Sequence, residues 1–299
     1  MRTRLACCLL LVPGGLLSAQ ATGPTVLNLP GGARAGSLGN AFVAGRGPEV
    51  LFYNPAQLSL APGLLVSAAR YGSASTQVTS ATTLTVGQLT AGFGVQYLDY
   101  RPSAFPSHPG EIGAPGFFIG ASLAATAAVS FRWRGLRWGA AAKYVQEHGA
   151  GILSGHGALD FGVGREWNRL TFGLSAQHIG SDLPFGDATV ALPRRMTLGA
   201  ALPRYPVSTF FDVGATAALA WERGGRFAPA GGVELFYQPV EGWLFALRAG
   251  ARLPEDAPRP KMHPLTLGAG VSLDRLALDY GFEKISGGGT VHRLGLRIQ

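Results

Sequence analysis

Residues 265–273, LTLGAGVSL, and residues 276–283, LALDYGFE, decide the fold of this chain, because an apolar side chain occupies every second position. The apolar sets are Leu265, Leu267, Ala269, Val271 and Leu273, then Leu276, Leu278, Tyr280 and Phe282. Successive side chains of a β-strand point to opposite faces, so each stretch predicts a strand with one apolar face. Only Asp274 and Arg275 separate the two stretches, which is the length of a two-residue hairpin turn.

The same alternation recurs along the chain and predicts about fourteen strands. Their approximate cores are 63–71, 76–86, 88–100, 116–133, 136–147, 155–166, 169–179, 194–203, 208–221, 227–238, 242–253, 264–273, 275–285 and 290–299. Most reach the roughly 9–11 residues that cross a bilayer. Every second connection is short, whereas the alternate set includes 100–115, 180–193 and 254–264. The pattern predicts an all-β protein, a transmembrane antiparallel β-barrel of the outer-membrane type.

The composition agrees with a surface that faces lipid. Of the 299 residues 47% are hydrophobic and only 14% are charged, against about 25% charged residues in soluble domains. Outer-membrane lipid is therefore the expected partner of the apolar face. The formal net charge is +8, but the arginines are scattered without a basic stripe, which excludes nucleic acid as a partner.

The first 21 residues predict a secretory signal peptide. Arg2 and Arg4 form a basic start, residues 5–17 an apolar core, and Ala19-Gln20-Ala21 a small-x-small cleavage site. Export by this signal predicts a place in the cell outer membrane. The only two cysteines lie inside the signal, so thiol chemistry is excluded from the mature chain.

Residues 22–60 predict an N-terminal plug, followed by the barrel at 61–299. This segment lacks strand alternation, yet its stretch LFYNPAQLS, 51–59, is apolar. Irregular backbone is tolerated at membrane depth only inside protein or in a water-filled cavity, so we expect the segment to lie in the barrel, against a glycine-rich inner wall. Residues 37–44 predict a short helix capped by Ser37.

Specific roles follow for several plug residues. Asn54 precedes Pro55 and is expected to bond back to nearby backbone in a turn. Phe52 and Tyr53 are expected to anchor the plug on the wall. Arg34 is expected either to meet a luminal acid such as Asp160, Asp212 or Asp279, or to stay solvated. The candidate residues of the plug and lumen are Arg34, Asn40, Phe52, Tyr53, Asn54, Pro55, Asp160, Asp212 and Asp279.

No catalytic or metal-binding pattern stands out. The six histidines lack ligand spacing, and no Gly-x-Ser-x-Gly elbow is present. The sequence therefore predicts a protein that is not an enzyme, has no catalytic residues, and needs neither a metal nor a cofactor.

The stretch GGARAGSLGNAFVAG, 31–45, followed by LFYNPAQLS resembles the N-terminal signature of the PorV/PorQ family, relatives of the FadL-type fatty-acid transporters. The C-terminal LALDYGFEKISGGGTVHRLGLRIQ, 276–299, adds to the resemblance. It implies a fourteen-stranded barrel with an N-terminal plug. It also implies an accessory or shuttle role in type IX-like secretion or surface attachment, with secreted cargo proteins or secretion-system components as partners. The alternative is a FadL-like transporter of hydrophobic ligands such as fatty acids, and a structural barrel or general channel stays open.

Overall fold

The computed structural model describes residues 24–72, 75–100, 120–149, 152–185, 188–253, 262–285 and 289–298. The predicted signal peptide lies outside these residues, and so does much of the two predicted loops at 100–115 and 254–264. Everything below refers to the described part of the chain.

Fourteen antiparallel strands close into a barrel, which confirms the predicted number. The strands are β1 Gly63–Tyr71, β2 Ser75–Val86, β3 Leu89–Tyr100, β4 Gly120–Trp133, β5 Leu136–Gly149, β6 Ile152–Trp167, β7 Leu170–Ile179, β10 Arg195–Pro206, β11 Phe211–Glu222, β12 Arg226–Tyr237, β13 Trp243–Arg252, β14 Met262–Leu273, β15 Leu276–Ile285 and β16 Gly289–Ile298. Barrel strands pair in chain order, and β1 closes on β16 with Leu64 opposite Ile298.

Two further strands form a small hairpin outside the barrel sheet. They are β8, Leu183–Phe185, and β9, Ala188–Val190, between barrel strands β7 and β10. The sequence predicts a loop for this stretch, because strands of three residues are too short to show alternation.

The barrel has a turn end and a loop end. At the turn end, strands are joined by connections as short as Arg134-Gly135 and Asp274-Arg275, and the left-handed backbone of Arg134, Gly135 and Asp274 suits tight hairpin turns. At the loop end lie the long connections and the β8–β9 hairpin. Short turns at one end and longer loops at the other are typical of outer-membrane barrels.

The two faces of the wall follow the alternation. Leu267 is 55% exposed on the outside, whereas its neighbour Thr266 is 1% exposed and faces the lumen. Trp133, Trp167 and Trp243 are exposed near strand ends at the turn end. Aromatic residues at such a level are typical of the girdle at a membrane interface.

This assignment of faces predicts that an arginine on the outer face destabilises the barrel by an amount that depends on its depth in the bilayer. We expect Leu267→Arg, in the middle of β14, to lower the unfolding free energy in a bilayer by about 2–4 kcal/mol, because a guanidinium there meets hydrocarbon. Leu273→Arg, on the same face at the end of β14, is the matched control and should cost about 0–1 kcal/mol. Reversible denaturant unfolding in lipid vesicles measures both. Equal costs at the two positions would contradict the assignment.

Residues 24–62 form the N-terminal segment, which lies inside the barrel. Its helical parts are α1, Ala33–Ser37, and three 3-10 helices, Thr25–Asn28, Pro48–Phe52 and Pro55–Leu60. Hydrogen bonds join it to luminal residues of strands on opposite sides of the barrel, including Gln77 of β2 and Thr216 of β11. No helix in the described residues is long and apolar enough to cross a membrane.

The helix predicted at 37–44 is wrong in position. The helix found is α1, and Ser37 ends it instead of capping its start. The Ser37 hydroxyl donates back to the carbonyls of Ala33 and Arg34. Gly39 and Asn40 follow with φ of 67° and 65°, a left-handed conformation that stops a helix.

Candidate functional site

The inner wall approaches the N-terminal segment most closely at glycines. At three of them an added Cβ would lie 2.2–2.3 Å from a backbone atom of the segment: Gly139 against Ala56, Gly173 against Val43, and Gly250 against Gly39. No real Cβ atom tolerates such distances. The glycines of the wall therefore make the room that the segment occupies.

Asn54 ties the segment to itself and to the wall. It is the N-cap of the Pro55–Leu60 helix, and its Oδ1 accepts a hydrogen bond from the Ala56 amide at 3.0 Å. Its Nδ2 donates to the carbonyls of Val43 at 3.0 Å and Val163 of β6 at 3.3 Å. Pro55 occupies the first helical turn, where its missing N–H costs nothing. The side chain thus serves as a cap and a wall contact together.

Tyr53 and Phe52 hold the centre of the segment. The Tyr53 hydroxyl donates to Asn40 Oδ1 in a short hydrogen bond and accepts one from the Gly31 amide at 3.0 Å. The Phe52 carbonyl accepts a bond from Gln177 of β7 at 2.8 Å. Burial raises the pKa of the Tyr53 hydroxyl to about 12, so it stays a donor. Both aromatic residues are buried in the core that the segment shares with the wall.

Arg34 meets a luminal acid, but a different one from the three candidates. Its Nε and Nη2 donate to both oxygens of Glu234 on β12, at 2.9 and 2.7 Å. Planar, two-point pairing of this kind is the strongest form of a charged hydrogen bond. The expected partners Asp160, Asp212 and Asp279 are each held by other cations of the wall.

Asp279 belongs to a chain of ion pairs along the wall. Arg248 bridges Glu234 at 2.7 Å and Asp279 at 2.8 Å, and Arg297 donates to Asp279 at 2.6 Å. With Arg34 the chain links α1 to strands β12, β13, β15 and β16. Removing one member would leave a buried charge without its partner, which is costly.

Asp160 and Asp212 lie apart from this chain and from each other. Asp160, buried on β6, forms an ion pair with Lys143 at 2.6 Å and accepts a hydrogen bond from the His178 amide at 2.8 Å. Asp212 pairs with Arg204 near the turn end. In the described part of the chain, no three residues of the types His, Cys, Asp and Glu are grouped so that they could hold a metal ion.

Glu49 is a site residue that the sequence analysis did not select. It lies in the Pro48–Phe52 helix, is fully buried, and neither carboxyl oxygen has a hydrogen-bond partner among the described residues. Burial raises the pKa of this carboxyl above its ordinary 4.5, against the attraction of Arg297 and Arg34, while Asp279 adds to the rise. Only packing of the segment inside the barrel removes water from this carboxyl, so Glu49 could not be selected from a local sequence pattern.

The raised pKa of Glu49 predicts a pH dependence for the packing of the segment. The protonated form favours the packed state, so its contribution is complete below pH 4.5 and is lost as pH rises through the raised pKa. We expect Glu49→Gln to abolish this loss and to protect the segment at neutral and alkaline pH. The rate at which a protease cleaves the segment, measured as a function of pH, tests this expectation. Glu241→Gln, an exposed carboxyl in a turn, is the control; an unchanged profile in Glu49→Gln would refute the prediction.

A buried apolar cluster lies at the loop end of the lumen. It includes Val26 and Leu27 of the N-terminal segment, Leu183 of the β8–β9 hairpin, and Leu192. Wall residues complete this loop-end cluster: Ala69, Tyr71, Leu98, Ala124, Val145, Ala158 and Val291. Asp182 holds the hairpin in place, because Arg223 donates to its two oxygens at 2.5 and 2.9 Å. Aqueous porins have a polar interior, so this cluster is a departure from them.

Comparison with solved structures agrees with this architecture. The fold is similar to that of several solved channel proteins. The P. putida toluene transporter TodX has 13% identity and a TM-score of 0.59, covering 89% of this chain and 97% of its own. The CymD monoaromatic hydrocarbon channel has 12% identity and a TM-score of 0.57, with 93% and 97% covered.

A Pseudomonas aeruginosa FadL homologue has 12% identity and a TM-score of 0.53, covering 95% of this chain and 99% of its own. At such identities the likeness shows the fold alone. No protein-family profile matches the sequence, and no curated protein matches it. The chain is thus an outer-membrane-type barrel that shares the fold of these proteins.

Proposed function

We propose that this chain is a passage for small hydrophobic molecules across the outer membrane. The observation that carries the proposal is the loop-end cluster, where apolar residues of the segment, the hairpin and the wall meet inside the barrel. A hydrophobic molecule gains free energy by leaving water for such a surface. TodX and CymD, which share the fold, are described as a toluene transporter and a monoaromatic hydrocarbon channel.

The N-terminal segment is the element that we assign to control of the passage. It contributes Val26 and Leu27 to the loop-end cluster and then continues past the wall glycines to Gly63, where β1 begins. A molecule held in the cluster therefore contacts the segment directly. Displacement of the segment would connect the cluster with the turn end, and in this proposal that displacement is the transport step.

An uptake assay in intact cells tests the proposal. Cells with few hydrophobic channels of their own, expressing the chain, should take up labelled toluene or oleate faster than cells with an empty vector. Leu192→Gln should remove most of the gain, because it puts an amide into the cluster. Leu276→Gln, the same change on the outer face at the turn end of β15, is the matched control. Uptake no faster than with the empty vector would refute the proposal.

The secretion role implied by the sequence resemblance has a different signature. It predicts that a folded secreted protein is held at the loop end and co-purifies with the barrel. No contact in the described residues and no comparison supports that role over passage. Co-purification of such cargo, together with uptake at the empty-vector rate, would reverse the ranking of the two functions.

A further inference from the structure

A second site lies at the opposite end of the lumen. A cavity of about 340 Å³, here called the turn-end cavity, separates the N-terminal segment from the inner wall. Its lining comes from the segment between Arg34 and Gly47, from Leu60 to Pro62, and mainly from strands β10 to β13. The volume is at the lower end of the about 300–1,000 Å³ of small-molecule sites. None of the residues of the loop-end cluster lines it.

Arginines predominate among the charged residues that line this cavity. Five arginines and one carboxylate line it: Arg34, Arg46, Arg204, Arg248, Arg297 and Glu234. Arg46 shares Glu166 with two more arginines, Arg132 and Arg137, so three guanidinium groups meet one carboxylate. Positive charge around a low-dielectric cleft concentrates anions there.

The arginines that line the cavity have guanidinium N–H groups that can still donate hydrogen bonds to an anion. Each guanidinium has five N–H donors. In the described residues Arg204 donates through Nε to Asp212 and through Nη2 to Gln238 at 2.7 Å. Arg297 donates through Nε to Asp279. These carboxylates orient the guanidinium groups and leave further N–H groups for an anion.

The remaining lining of the cavity is apolar. Phe236 and Leu244 come from the wall, and Leu38, Phe42 and Leu60 come from the segment. The guanidinium of Arg204 lies over the ring of Phe236, 5.6 Å from its centroid. A ligand that satisfies both surfaces needs an anionic head and an apolar, ring-sized body.

We propose that the turn-end cavity binds a small organic anion, with its carboxylate or sulfonate head at Arg204 and its apolar body against Phe236 and Leu244. The site stands on its own contacts and does not depend on passage of hydrophobic molecules through the loop end. The anion would touch the segment and the wall at once, so its binding stabilises the packed segment by mass action.

Equilibrium dialysis with two fluorescent probes tests the site. The probes are 2-naphthoate and the uncharged 2-naphthalenemethanol, which share the ring system and differ in the head group. The full chain in lipid nanodiscs should bind 2-naphthoate about tenfold more tightly, the value of one charge-assisted hydrogen bond at a part-exposed site. Empty nanodiscs correct for partition into lipid. Equal binding of the two probes would overturn the proposal.

Two variants locate the bound probe. Arg204→Gln should weaken 2-naphthoate about tenfold and leave 2-naphthalenemethanol unchanged. Ala246→Leu fills part of the cavity from β13 and should weaken both probes. Arg223→Gln is the matched control, because Arg223 is about as exposed as Arg204 and also pairs with an aspartate, but at the loop end. Weaker binding of 2-naphthoate in Arg223→Gln would place the probe at the loop end and overturn the assignment. Unchanged binding in both Arg204→Gln and Ala246→Leu would also overturn it.

Discussion

Removal of residues 24–60 is expected to turn a tight barrel into an open one. The wall closes by strand pairing from β1 to β16 without help from the segment, so the deleted chain should still insert and fold. A fourteen-stranded barrel is wider than the small barrels that side chains alone can fill. Liposomes with the deleted chain should therefore swell in small sugars at the rate of an open porin, whereas the full chain should stay near the background.

The deletion needs a control for folding, because a misfolded barrel also leaks. Heat-modifiable mobility on gels and a β-sheet circular dichroism spectrum should be the same for the deleted and the full chain. Exclusion of large sugars by the deleted chain would show a pore of defined width instead of a damaged bilayer. A deleted chain that folds and remains as tight as the full chain would show that the segment does not close the lumen.

Two alanines on the inner wall are expected to expel the segment without any deletion. In Gly139→Ala/Gly250→Ala, each new Cβ would lie 2.2–2.3 Å from segment backbone, so the segment must move. Overpacking of this kind costs about 1–3 kcal/mol per site. Alanine in place of glycine also favours the strand by roughly 0.5–1 kcal/mol, so the wall itself should not weaken. We expect liposomes with the double variant to swell faster than liposomes with the unchanged chain, and protease to cleave the segment faster.

The matched control is Gly295→Ala, also on the inner wall. Its added Cβ would lie 3.4 Å from the Cβ of Ala33, an ordinary contact. Liposomes with this variant should swell at the rate of liposomes with the unchanged chain, and protease should cleave its segment at the unchanged rate. If the double variant behaves like Gly295→Ala, the close approach of wall and segment does not hold the segment in place.

These experiments separate the two ends of the lumen. The loop-end cluster is apolar and the turn-end cavity is lined by arginines. The N-terminal segment contributes residues to both, so its release should disturb both sites. Leu192→Gln and Arg204→Gln act on one end each, which distinguishes failure of the passage from failure of the anion site.

The sequence by itself determined the barrel. Alternation is a local property, because each strand residue either faces lipid or faces the lumen. Leu267 and Thr266 could thus be assigned to opposite faces from their neighbours in the chain alone. The number of strands and the short turns followed from the same pattern. The apolar, irregular stretch around Asn54 and Pro55 also indicated a segment that needs the shelter of protein.

Tertiary structure alone decided which luminal groups meet. The position of an acid along its strand does not reveal its height and angle relative to α1, so the choice of Glu234 as partner of Arg34 could not be derived. Glu49 became notable only because packing removed water from it. Ser37 is the last residue of α1, and Asn40 adopts a left-handed conformation just after the helix ends. Pairing and desolvation inside the barrel depend on contacts between residues as many as 229 positions apart, which no local pattern encodes.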